Sequence, residues 1–124
     1  MKTRIMVVDD EPALTRMIQI NLERAGDYDV FTENKGCNAI EAVRECRPDL
    51  ILLDIMMPDK SGDDVAQELR DDPKLSSIPI VFLTALVTQD ETDSKASTIG
   101  GNIFLAKPVK AAALVAVIES VLGS

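Results

Sequence analysis

Several polar side chains of this sequence could together do chemistry, because each follows or ends a short apolar run. They are Asp9, Asp10, Asp54, Thr84 and Lys107. Three carboxylates drawn close together repel one another by about 1–4 kcal/mol per pair, so a bare acidic cluster is unfavourable. A hard cation with oxygen ligands would relieve this repulsion. An open carboxylate site suits Mg²⁺ that keeps several waters, with Mn²⁺ able to substitute.

A cation held there would also neutralise an anion brought beside it, with the ammonium of Lys107 and the hydroxyl of Thr84 on the opposite side. Asp54 is central among the carboxylates, so its oxygen could attack a phosphoryl group in line and form an aspartyl phosphate. Taken singly, each residue has an ordinary explanation: Asp9 or Asp10, for example, could cap the first predicted helix. The combination of residue type and strand end is what favours phosphoryl chemistry.

The composition argues against several other classes of function. The chain has 124 residues, of which 46% are hydrophobic, enough for one domain with its own core. The net charge of −8 argues against nucleic-acid or membrane binding through this chain, and the lack of histidine removes the serine and cysteine triads. We expect a cytoplasmic protein, because no secretory signal or spanning segment is visible and two unpaired cysteines suit a reducing compartment.

Apolar runs of strand length alternate with helical periodicities along the chain, which predicts an α/β fold. Predicted strands cover residues 4–8, 28–32, 50–54, 79–84 and 103–106, and predicted helices cover 11–25, 37–46, 63–71, 89–98 and 110–122. Five such units predict a single-domain (βα)5 doubly wound parallel sheet with the flavodoxin-like strand order 2-1-3-4-5. The polar residues then meet at the carboxyl ends of the strands. We assign residues 1–122 to this domain and 123–124 to a tail or remnant.

The motifs in their order and spacing resemble the receiver domain of bacterial two-component response regulators. They are VVDDEP at 7–12, LILLDIMMPDKSG at 50–62, FLTA at 82–85 and KP at 107–108. The resemblance covers essentially the whole chain. It implies that Asp54 accepts a phosphoryl group from the phosphohistidine of a sensor histidine kinase or phosphotransfer protein. It also implies Mg²⁺ bound by Asp10, Asp54 and the backbone carbonyl of Met56, with Asp9 acting chiefly through water.

The resemblance further implies a switch between the phosphorylated and unphosphorylated states. Lys107 would pair with one phosphoryl oxygen, and the Thr84 hydroxyl would move to bond another. An aromatic side chain on the fifth strand, here Phe104, would rotate inward, although a phenylalanine without a polar tip should prefer burial in both states. The surface of the fourth predicted helix, the fifth strand and the last helix would then change its affinity for a downstream protein. A cis Lys107–Pro108 bond is also implied.

Two other functions stay open from the sequence. The chain could be a receiver-like interaction scaffold that is not phosphorylated, or an aspartate-nucleophile Mg²⁺ phosphatase. The phosphatase normally needs a second acid two residues after the nucleophile, where this chain has Met56. On the favoured interpretation the chain is not an enzyme but assists its own phosphorylation and dephosphorylation. Its signal would pass to a protein target or to a missing output domain.

Overall fold

The computed structural model describes residues 2–85, 97–99, 102–107 and 109–123, in which strands and helices alternate. The strands are β1 (Thr3–Val8), β2 (Tyr28–Glu33), β3 (Leu50–Asp54), β4 (Ile80–Thr84), β5 (Ser97–Ile99) and β6 (Asn102–Ala106). The helices are α1 (Pro12–Ala25), α2 (Ala39–Cys46), α3 (Gly62–Asp71) and α4 (Ala111–Leu122). Within this described part, no helix has the length and apolarity needed to cross a bilayer.

The strands form one sheet in the order β2-β1-β3-β4-β6-β5. The pairs from β2 across to β6 are parallel, whereas β5 runs antiparallel to β6. Because β6 is the fifth predicted strand, the predicted order 2-1-3-4-5 is confirmed. β5 adds an edge strand that the sequence analysis did not predict.

The central strand β3 is buried on both faces, as its continuous run of apolar residues predicts. Successive side chains of a strand point to opposite faces of the sheet. Leu50 and Leu52 pack in a core shared with α1 and α4, whereas Ile51 and Leu53 pack in a second core shared with α2 and α3. These four residues occupy both faces, so the polar group of the strand lies at its carboxyl end, Asp54.

Helix α3 begins directly against that strand end. The hydroxyl of Ser61 caps the helix by accepting the backbone N–H of Asp64 at 3.2 Å. The N–H of Gly62 donates to the carbonyl of Ile55 at 2.8 Å. A Cβ at position 62 would lie 2.2 Å from the carbonyl oxygen of Asp54, so only glycine fits at this contact.

The second predicted helix is wrong in its first two residues. It begins at Ala39 rather than Cys37, because residues Gly36–Asn38 form a 3-10 turn instead. Both cysteines are free thiols, Cys37 exposed and Cys46 buried. Apart from this start and the fourth predicted helix, 89–98, the predicted boundaries agree with the structure to within one residue.

The fourth predicted helix, 89–98, is wrong at its end. Residues Ser97–Ile99 are extended and pair with β6, with Thr98 opposite Ile103. Thr98 and Ile99 are β-branched and favour a strand over a helix, which explains the difference. Residues 89–96 of that helix, and the predicted cis bond to Pro108, lie outside the described residues.

Candidate functional site

Three aspartates meet at the carboxyl edge of the sheet. Asp9, Asp10 and Asp54 each place one carboxylate oxygen within 4.8 Å of the others. Asp9 is fully buried and Asp54 is 3% exposed, whereas Asp10 is half-buried. The predicted acidic cluster is therefore present as a geometric fact, and two of its members are almost cut off from water.

The pairing of β1 with β3 explains why the carboxylates meet. Val8 lies opposite Leu53 in the parallel register, so Asp9 and Asp54 are the next residues on adjacent strands. The N–H of Asp9 also donates to the carbonyl of Glu33 at 3.0 Å, which continues the β1–β2 ladder by one residue. The sheet itself therefore fixes the backbone of both aspartates.

The ammonium of Lys107 lies among these carboxylates. Its Nζ is 2.7 Å from Oδ2 of Asp9 and 3.3 Å from Oδ1 of Asp54. Glu11 approaches the same ammonium at 3.7 Å. The N–H of Lys107 donates to the carbonyl of Thr84 at 2.9 Å, so the end of β4 holds the lysine backbone. Burial lowers the pKa of Lys107, but the hydrogen bond and charge of Asp9, with Asp54, outweigh it and raise the pKa overall.

One lysine does not balance the acidic cluster. The pKa of Asp54 is raised from 3.8 to about 6, first because burial disfavours its charge and second because Asp9 repels it. The ammonium of Lys107 and the N–H of Met56, which donates to Oδ1 of Asp54 at 3.3 Å, act in the opposite direction. Burial and the charge of Asp9 thus outweigh the contacts that stabilise the Asp54 anion.

The donor set fits a hard divalent cation. Oδ1 of Asp9 accepts the N–H of Glu11 at 3.0 Å, whereas the buried Oδ2 has the ammonium of Lys107, at 2.7 Å, as its polar contact among the described residues. A buried carboxylate oxygen in this position, beside two further carboxylates, has the chemistry of a Mg²⁺ ligand. Met56 exposes 65% of its surface, and its backbone N–H donates to Oδ1 of Asp54 at 3.3 Å, so its backbone borders the site.

The two predicted switch residues lie on β4 and β6. Thr84 is buried at the end of β4, opposite Ala106, and its role in a switch stays a prediction. Phe104 is partly buried and stacks on Phe82, with ring centroids 5.3 Å apart. The aromatic ring thus already contacts the core of the α2 and α3 face.

A polar contact that the sequence did not predict supports the loop that carries Asp9 and Asp10. The amide Nδ2 of Asn34 donates to the backbone carbonyl of Asp9 at 2.8 Å and to Oγ1 of Thr15 at 3.0 Å. Thr15 is 2% exposed, and its hydroxyl donates to the carbonyl of Pro12 at 3.1 Å. No motif or periodicity joins these positions, so the sequence carried no signal for the contact.

Acidic residues outside the cluster have different surroundings. Asp59 accepts the backbone N–H of Gly36 at 3.2 Å and of Cys37 at 3.0 Å. The pKa of Asp59 is lowered to about 2, chiefly by the hydrogen bond from the Cys37 backbone. The pKa of Asp72 is also lowered, first by the N–H of Lys74 and then by its hydrogen bond with Arg44. These carboxylates hold loops in place.

Comparison with known proteins gives one consistent family. The family model described as the response regulator receiver domain matches residues 5–119. The chain is 42% identical over 120 residues to the DNA-binding response regulator MtrA of Mycolicibacterium smegmatis, covering 94% of this chain and 49% of that protein. It is 38% identical to the DNA-binding dual master transcriptional regulator RpaA of Synechocystis sp., covering 96% of this chain and 48% of that protein. The chain thus spans about half the length of these relatives.

Solved structures agree with this match. The chemotaxis protein CheY4 of Vibrio cholerae superimposes with a TM-score of 0.82 at 26% identity, covering 98% of this chain and all of that one. A response regulator receiver protein domain from Methanoculleus marisnigri is 35% identical with a TM-score of 0.71, covering 98% of this chain and 97% of that one.

Proposed function

Because the chain belongs to the response regulator receiver domain family, we propose that Asp54 accepts a phosphoryl group from a phosphohistidine of a sensor histidine kinase or phosphotransfer protein. The observation that carries the proposal is the cluster of Asp9, Asp10 and Asp54 at one sheet edge with the ammonium of Lys107 among them. Clustered carboxylates can bind a divalent cation, and such a cation together with a fixed lysine can neutralise the charge of a phosphoryl group.

In the proposed transfer, an oxygen of the ionised Asp54 carboxylate attacks phosphorus and forms an acyl phosphate. The P–N bond to the partner's imidazole breaks, and its electron pair leaves on the ring nitrogen. A pKa of about 6 leaves Asp54 mostly ionised at neutral pH, and therefore able to act as the nucleophile. Since the partner supplies the histidine, this chain needs none of its own.

The other site residues would bind and orient the phosphoryl group. Lys107 would pair with one phosphoryl oxygen and the hydroxyl of Thr84 would donate to another. Asp9, Asp10, Asp54 and the carbonyl of Met56 would hold Mg²⁺, or Mn²⁺ in its place. When bound, the cation neutralises negative charge on the oxygens of the group being transferred.

We also propose the consequences of phosphorylation from the family resemblance. The chain would promote only its own phosphorylation and dephosphorylation, in the cytoplasm, and would act through a downstream protein or an output domain. The surface that changes would include β6, which leads directly into Lys107, and α4. Phe104 stacks on Phe82, and because a phenylalanine has no polar tip, we propose that it stays packed against the core in both states.

The test is incubation with Mg²⁺ and acetyl phosphate, followed by intact-mass measurement. The wild-type chain should gain one phosphoryl group, and Asp54→Asn should gain none. Asp72→Asn, which removes a surface carboxylate that contacts Arg44, is the matched control and should label like the wild type. EDTA should abolish labelling.

Each contrary outcome has a distinct meaning. Equal labelling of Asp54→Asn would show that the nucleophile is wrong. A wild-type chain that is never labelled, with acetyl phosphate or with a phosphorylated histidine kinase, would favour the interaction scaffold instead.

A further inference from the structure

The loop that carries Asp9 and Asp10 is held from the side by residues that belong neither to the acidic cluster nor to its lysine. We infer that Asn34 and Thr15 form a latch that positions the proposed cation ligands. This inference rests on the proposed function, because it assigns a role within the same site. The latch joins three parts of the chain: the end of β1, the first turn of α1, and the segment after β2.

The side-chain amide of Asn34 uses its full capacity as a donor in this contact. An Asn amide nitrogen carries two hydrogens. Nδ2 has two acceptors, the backbone carbonyl of Asp9 at 2.8 Å and Oγ1 of Thr15 at 3.0 Å. Both distances lie in the range of normal hydrogen bonds. No donor is left over for water, so the orientation of Asn34 is specified by the loop that it holds.

The hydroxyl of Thr15 extends the contact into the helix. It accepts from Asn34 and donates its own hydrogen to the carbonyl of Pro12 at 3.1 Å. Thr15 is 2% exposed, so water has little access to replace either bond. A chain of hydrogen bonds thus runs from Asn34 through Thr15 to the first turn of α1, and such chains strengthen their members.

The position of the Asp9 carbonyl decides where Asp10 lies. The peptide bond between Asp9 and Asp10 is planar, so fixing its carbonyl oxygen also fixes its N–H and the direction to the Cα of Asp10. The N–H of Asp9 is already held by Glu33. With its carbonyl held by Asn34, this peptide cannot rotate, and the backbone that carries the Asp9 and Asp10 side chains keeps its place relative to Asp54.

Both latch residues have neutral side chains that contact the Asp9 backbone and α1, so their role is to position the residues that would bind the cation. Residues that orient a metal ligand contribute to metal affinity by removing the cost of ordering that ligand. We therefore expect the latch to act on the affinity for Mg²⁺ in addition to its effect on folding. A contact that served folding alone would leave that affinity unchanged.

The experiment measures the Mg²⁺ dissociation constant of the full chain by isothermal titration calorimetry, with thermal unfolding in EDTA measured in parallel. Asn34→Ala and Thr15→Val should each raise the dissociation constant about three- to tenfold, at or below the range found for partners of ligand side chains. Thr15→Ser keeps the hydroxyl and should restore nearly the wild-type value. Asn38→Ala, an exposed residue in the same connecting segment, is the matched control and should bind as the wild type does.

Dissociation constants equal to the wild-type value in both Asn34→Ala and Thr15→Val would overturn the inference, even if both variants unfold at lower temperature. A wild-type chain that binds no Mg²⁺ would instead overturn the proposed metal site and the latch together. Should Asn34→Ala fail to fold, the comparison of Thr15→Val with Thr15→Ser decides the question, because these variants differ in the hydroxyl that the latch needs.

Discussion

Asp54 at the sheet edge and Asp59 in the following loop are close in the chain, yet their pKa values move in opposite directions. Burial and the charge of Asp9 raise the pKa of Asp54 to about 6. The backbone N–H of Cys37, helped by that of Gly36, lowers the pKa of Asp59 to about 2. The ionised form of an aspartate is thus destabilised at position 54 and stabilised at position 59.

The surroundings of each carboxylate distinguish those that stabilise loops from those that could bind a cation. Asp59 and Asp72 meet N–H donors of the backbone, which satisfy their charge within the chain. Asp54 meets another carboxylate in a buried place, and among the described residues the ammonium of Lys107 is the one cation beside the acidic cluster. A carboxylate that the protein leaves short of positive charge is one that can accept a cation from outside.

The largest test of this contrast is Asp54→Asn in the absence of metal. We expect the free energy of unfolding at pH 7 to rise by roughly 1–3 kcal/mol, because each unit of raised pKa corresponds to about 1.4 kcal/mol and the loss of its ion pair with Lys107 offsets part of the gain. Urea unfolding in EDTA measures this change. Adding Mg²⁺ should narrow the gap, since a bound cation stabilises the wild-type carboxylates. A variant no more stable than the wild type would contradict the contrast.

The second test follows the same pair of proteins with pH. The folded pKa of Asp54, about 6, lies above the ordinary value of 3.8. Between these two pH values Asp54 is protonated in the folded state but ionised in the unfolded state. The free energy of unfolding that the protonated form contributes is therefore fully present below about pH 4 and is lost as the pH rises through 6. The difference in free energy of unfolding between the wild type and Asp54→Asn should be largest at pH 7 and close to zero near pH 4. A gap that does not change with pH would show that burial of charge is not its cause.

The smallest effect is expected for the same substitution at Asp59, and its sign is reversed. Asp59 uses both carboxylate oxygens, Oδ1 for the N–H of Gly36 and Oδ2 for that of Cys37. An Asn side chain has one acceptor oxygen, so Asp59→Asn leaves one N–H unpaired and should lower the melting temperature at pH 7. Calorimetry checks this change, with Asn38→Ala, next to the donors Gly36 and Cys37, as a control. Stabilisation by Asp59→Asn would remove the distinction between the two regions.

Most of the fold followed from patterns that the sequence displays directly. The run Leu50–Asp54 has apolar residues up to its last position, which indicates a strand covered on both faces with a polar end. The edge strand at Ser97–Ile99 was missed because three residues carry too little periodicity to distinguish a strand from a helix. Strand order followed from the topology rules for parallel sheets rather than from any single residue.

The grouping of the three aspartates with the lysine was predictable from the sequence, but the contacts among them were not. Their residue types and their positions at the ends of predicted strands predicted that Asp9, Asp54 and Lys107 lie close together. That the ammonium lies closer to Asp9 than to Asp54 depends on side-chain packing, which no spacing encodes. The contact between Asn34 and Thr15 joins positions 19 residues apart through side-chain hydrogen bonds, and a single sequence shows no trace of it.

The close approach of Gly62 to the backbone of Asp54 restricts how this protein can evolve. A side chain at position 62 has no space to occupy, so any substitution there would require the backbone at Asp54 or at the start of α3 to shift. The connecting segment 55–61 can lengthen or change composition only if it still delivers the chain to the same point. Sequence variation near the acidic cluster should therefore fall on its exposed rim, whereas the contact between α3 and the end of β3 should stay unchanged.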